Sequence, residues 1–213
     1  MTNSEFITLI LSRCGRRQAS QTLRDIVVSE IQSFIDMKEK GMEETPYFLE
    51  ELWEDSSGTA ASLELPENYL VELEETTMLF RSGEEYWIAE KVIHDNVQRI
   101  ASANAPGHPR FYSILGNGIH FAPIPDASYS FTLPYGRKST SFLANEEETS
   151  DWCKEAANAV AFTVQGIIAA QHLQDSEMAS RFAQPAADAW ARFNDYCNKR
   201  KFSNMKILPG EDE

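Results

Sequence analysis

The sequence predicts an α+β fold, a helical bundle formed by both chain ends with an antiparallel β-rich insertion between them. Three observations predict it. Apolar residues recur at helical intervals over residues 1–42 and again over 145–202. The stretch between, 43–144, alternates apolar with polar residues, is broken by Ser-Gly and Gly-Asn-Gly turns, and leaves room for one short helix. Charge is uneven as well. Of 33 acidic and 19 basic residues, net −14, the run 43–90 holds fourteen carboxylates against Arg81 alone, −13 in one segment. Residues 203–213 read as an extended C-terminal tail.

Each element has a local reason. Thr2 and Glu5 have capping-box spacing, and Phe6, Leu9, Ile10 and Cys14 follow at helical intervals to a stop at Gly15. A second helix starts at Ser20 and ends at Gly41, with Leu23, Ile26, Val27, Ile31, Phe34 and Ile35 on one stripe. The pair invites a helix-turn-helix reading, which the negative charge opposes and which core packing of the wide stripe explains better. Ser62–Leu65 and Val71–Glu74 alternate as strands with a wet, acidic face. Ser82-Gly83 sits between two apolar runs as a hairpin turn. A short helix carrying Val92, Ile93, Val97 and Ile100 ends at the breakers of 105–109. Gly116-Asn117-Gly118 joins strands 110–115 and 119–122, and Tyr129–Tyr135 is a further strand. Thr149 or Ser150 caps a single helix running to about Leu173, apolar on nearly every side and so covered on more than one face. The last helix carries Phe182, Ala186, Ala189, Phe193 and Cys197, and Pro185 should kink it or delay its start.

Composition excludes several classes of function. A chain of 213 residues can bury roughly 70% of its surface, so no staple is required. Cys14, Cys153 and Cys197 are odd in number and lack CxxC spacing, which fits reduced thiols in the cytosol. No signal-peptide pattern opens the sequence, and the apolar window 156–170 is too short to span a bilayer, so a soluble, unsecreted protein is expected. Neutralising phosphates would need basic surface, so autonomous binding of nucleic acid is disfavoured. His94, His108, His120 and His172 share no metal-ligand spacing, and no GxSxG elbow accompanies His94-Asp95, which reads as a surface pair. Carboxylates are abundant, but no pair stands out as acid and base. Phe111, Tyr112, Phe121, Tyr129, Phe131 and Tyr135 read as core rather than as a stacking platform. No catalytic residue, metal site or cofactor is expected.

A set of ordered phrases then carries a resemblance. Gly107-His-Pro-Arg-Phe-Tyr112 leads into a hairpin, followed by Phe121-Ala-Pro-Ile-Pro-Asp126 and the strand Tyr129-x-Phe-x-Leu-x-Tyr135. Upstream stands Leu65-Pro-Glu-Asn-Tyr69, and downstream Thr149-Ser-Asp-Trp152. This layout, covering about residues 1–202, resembles the head–tail adaptor (connector, head-completion) proteins of tailed bacteriophages. The resemblance implies a non-enzymatic structural virion protein that forms a ring, usually a dodecamer, at the neck. Its partners would be further copies of itself, the portal protein, and a tail or nozzle protein. DNA would pass through the channel without specific binding, and no membrane would be involved. The protein would reside in the virion, and in the host cytoplasm during assembly. On that reading Ala157, Ala161, Val164 and Ile168 are expected at a subunit boundary or at the tight centre of the bundle. The basic cluster Lys199, Arg200 and Lys201, with Phe202, Ile207 and Leu208, is expected to dock on the portal. Two other classes compete: an acidic DNA mimic or regulator with a basic partner, and a carboxylate hydrolase.

Overall fold

The computed structural model describes residues 1–41, 45–73, 77–140, 142 and 149–204, without the side chains of 201–204. The chain divides into two compact units, Met1–Leu49 with Ser139–Glu213, and Glu50–Lys138. Residues 45–49, expected in the insertion, belong to the helical unit because the turn Tyr47–Leu49 seals Leu49 into its core.

The helical unit begins with α1 (Asn3–Arg13), which has a complete capping box: the Thr2 hydroxyl accepts from the Glu5 amide, and the Glu5 carboxylate accepts from the Thr2 amide. Helix α2 (Gln21–Lys40) starts where the Ser20 hydroxyl accepts from the Leu23 amide and stops at Gly41. Distant segments then return to these helices. The Ser150 amide donates to Asn3 Oδ1 at 3.0 Å, Thr149 donates to the Met1 carbonyl, and the Trp152 indole donates to Glu39.

The expected single helix from 149 to 173 is instead broken. Ser150 caps α4 (Asp151–Glu155), the backbone leaves helical geometry at Ala156, and α5 (Ala157–Ile167) follows and winds into a π-helical turn at Ile168–His172. The step lets both pieces bury a face, Trp152 and Cys153 before it and Ala159, Val160 and Ala161 after it. Helix α5 packs on α1, α2, α4 and the last helix, α6 (Ser176–Asn204). Pro185 does not delay α6, which starts nine residues earlier and runs through it. Loss of one helical hydrogen bond is offset by Phe182, Ala189, Trp190, Phe193 and Cys197, which pack the helix on the core from both sides of the proline.

Among the described residues the second unit holds a sheet of eight strands: β1 (Glu50–Ser56), β2 (Ser62–Glu64), β3 (Tyr69–Glu72), β4 (Met78–Ser82), β5 (Glu85–Lys91), β6 (Phe111–Leu115), β7 (Gly118–Ala122) and β8 (Ser130–Arg137). Their order is β1-β8-β4-β5-β6-β7-β2, with β3 also on β8. The insertion, expected to be antiparallel, is so at every described pairing except one, since β5 and β6 pair in parallel and make the sheet mixed. Helix α3 (His94–Ala103) intervenes between them as a crossover, and a crossover returns the chain in the same direction. Val92 and Ile93 precede α3 rather than belonging to it, and Ile93 is 69% exposed. Strand β1 has no counterpart among the expected elements. The buried faces of the strands meet around Phe80, Tyr112, Phe121, Phe131 and Leu133. Gly116 supplies the positive φ, 61°, for the β6–β7 turn.

Ala161 is fully enclosed between helices. Ala161→Trp is therefore expected to overpack the helical unit and to lower stability by about 1–3 kcal/mol or more. Urea unfolding would check this, and an unchanged midpoint would show that the site has spare volume.

Candidate functional site

Among the described residues no group of three or more His, Cys, Asp or Glu side chains could hold a metal. No described helix is long and apolar enough to cross a membrane. The three cysteines are buried and form no disulfide with one another. Burial pushes the Cys153 thiol up to about 12 and raises that of Cys14, so neither is poised as a nucleophile.

Of the residues expected at a subunit boundary or at the tight centre of the bundle, Ala161, Val164 and Ile168 are sealed within the chain's own core, the second of those places. Their small or branched side chains admit the backbones of flanking helices. Ala157 alone stays half-buried, on the wall of a groove of about 640 Å³ lined by Lys154, Phe162, Pro185, Arg192 and Tyr196. Of the expected portal-docking residues, Lys199 is paired with Asp195 at 2.6 Å one turn away. Arg200 lies over the rings of Tyr47 and Tyr196, 5.1 and 5.3 Å from their centroids, as part of the helical unit. The backbones of Lys201 and Phe202 continue α6, whereas their side chains, Ile207 and Leu208 lie outside the described residues.

The structure also brings together side chains that are remote in sequence. His94, at the start of α3, is half-buried rather than a free surface residue. Its Nδ1 bonds the buried Ser113 hydroxyl at 3.0 Å, and its Nε2 meets the Gln98 amide at 2.9 Å. The ring of His120 on β7 stands edge-on to it, with centroids 4.5 Å apart. Both His94 nitrogens are occupied, so the pair is a packing contact between α3 and the β6–β7 hairpin. Burial, and then the His94 ring, hold the His120 imidazole below its ordinary pKa. Phenol–carboxylate pairs recur in the same unit: Tyr112 donates to Glu72, which also meets Lys91, and Tyr129 donates to Asp126. The Tyr129 phenol is pushed up to about 12, first by that hydrogen bond and then by burial. Tyr135 donates to Glu51 and Asn68, at 3.0 and 2.8 Å. These pairs orient side chains within the sheet unit, and Tyr135, Asn68 and Glu51 do so in the wall of a groove beside Glu50–Ser56.

The chain matches no family model, and no curated protein matches it.

A depressed folded-state pKa at His120 makes a signed prediction. The neutral ring is favoured in the fold, so its contribution is present above the unfolded pKa, about 6.5, and is lost as pH falls below it. Wild-type protein should therefore lose ground to His120→Gln in unfolding experiments below that pH. A stability difference independent of pH would contradict the assignment.

Proposed function

We propose that this chain is a structural virion protein, a ring-forming head–tail adaptor that joins the portal to the tail and lines the DNA exit channel. One observation carries the reading: the ordered phrases between Leu65 and Trp152 lie in a chain whose two ends build one helical unit around a β-rich insertion. That is the organisation the resemblance implies. The partners are then further copies of the chain, the portal protein and a tail or nozzle protein. Its places are the virion neck and, before assembly, the host cytoplasm.

Charge fits a conduit better than a DNA-holding site. Each copy carries −14, and carboxylates along a channel repel phosphates instead of binding them by counterion release. Neighbouring copies also repel one another, so the protein alone is expected to be monomeric at low salt. Rings should form on the portal, and more readily as salt screens the repulsion. Electron microscopy of the purified protein, with and without the portal of its own virus, tests this reading. The expected result is a ring seated on the portal. A protein that stays monomeric with portal present, at every salt concentration, would overturn the reading.

A further inference from the structure

Strand β1 is a terminal strand of the sheet, pairing with β8 along one side over all seven residues. No other backbone–backbone hydrogen bond within the described residues serves its outer side, and the Ser56 amide is taken by Asp55 Oδ1 at 2.7 Å. A groove of about 620 Å³ runs there, lined by residues 51–55, by Glu64, Leu65 and Pro66, and by Asn68 and Tyr135, which both bond the Glu51 carboxylate at one end. Side chains from both faces of β1 line it: Glu51, Trp53 and Asp55 from one, Leu52 and Glu54 from the other. A groove that meets both faces follows the strand's free edge. Its opposite wall is the end of β2, the other terminal strand. The groove is thus the gap where the curled sheet fails to close.

Its chemistry is specific. Glu54, Asp55 and Glu64 line it beside Leu52, Trp53 and Leu65, and no lysine or arginine does; Glu51 also lines it but is already held by Asn68 and Tyr135, with Arg137 3.8 Å away. Leu52 is 52% exposed although it is one of only two large apolar residues of β1. Unpaired amides and carbonyls beside apolar side chains favour an added strand, and the carboxylates set its charge. A second copy adding its own β1 would set like charges opposite one another, which is destabilising.

We propose that this gap takes up an extended segment of another protein, added as a strand on β1, in which basic side chains alternate with apolar ones. Main-chain hydrogen bonds to β1 hold it, its basic side chains meet Glu54, Asp55 and Glu64, and its apolar side chains cover Leu52 and Trp53. The segment length follows from β1, whose seven residues span about 23 Å at the usual strand rise.

The test uses the isotope-labelled chain of 213 residues and the acetylated, amidated peptide Val-Lys-Val-Lys-Val-Lys-Val, followed by amide chemical shifts. Controls are the same peptide N-methylated at alternate residues, which keeps its charge but removes one row of donors, and the peptide corresponding to residues 205–213 of this chain. Expected are saturable shifts centred on 50–56 and 62–66, and binding about tenfold weaker for the N-methylated peptide. The exposed variant Glu54→Lys with Asp55→Lys should weaken binding to a similar degree. Equal binding by the N-methylated peptide, or shifts scattered over the acidic surface, would reduce the contact to charge attraction and overturn the proposal. Tighter binding by the 205–213 peptide would make the occupant this chain itself, and would overturn the assignment to another protein.

Discussion

Helix α5 presents small or apolar side chains on nearly every side, and water cannot cover such a helix without a large penalty. Burying Val160, Val164 and Ile168 completely contributes on the order of 1.5–3 kcal/mol each, provided that neighbours arrive from several directions. Those neighbours are α1 and α2 from one end of the chain and α6 from the other. The need to enclose α5 thus brings the chain ends together. It also leaves residues 50–138 to form a core of their own. One cost is visible inside the bundle. Both polar atoms of the Gln165 side chain are buried with no hydrogen-bond partner among the described residues, a loss of roughly 1–3 kcal/mol for each unmet group.

The sheet unit solves a different problem, because its charge is high and its interior aromatic. Phe80 stacks on Trp87 and meets Phe121 and Phe131, so large rings fill the curl of the sheet. Carboxylates are left to the rims and outer faces, where some are oriented by tyrosines that keep their protons. Among the described residues of this acidic stretch, Glu72 and Glu51 accept from tyrosines, while Glu54 and Asp55 stand exposed on Glu50–Ser56.

Where the sequence alone suffices and where it fails has a physical pattern. Signals that act within one or two turns are legible: the Thr2–Glu5 box, the Ser20 cap, the Gly41 stop and the Gly116 turn all stand where residue type demands. Signals that depend on a partner are not. Strand β1, Glu-Glu-Leu-Trp-Glu-Asp-Ser, has too few apolar residues to show alternation, and only its pairing with β8 makes it a strand. The break at Ala156 follows from the need to bury Trp152 and Ala161 together, which no local propensity records. The His94–His120 contact joins a helix start to a strand across a crossover, beyond any spacing rule. For the candidate sites the same limit holds. An apolar helix marks Ala161, Val164 and Ile168 as enclosed but does not say whether the enclosing chain is their own, and the β1 groove stays invisible while β1 itself does.

Native-state hydrogen exchange tests the central constraint most directly. If enclosure by both chain ends holds α5 in place, the amides of residues 160–168 should be the slowest in the helical unit. They should share one opening free energy with those of residues 6–11. An α5 that exchanges early while α1 remains protected would contradict the account.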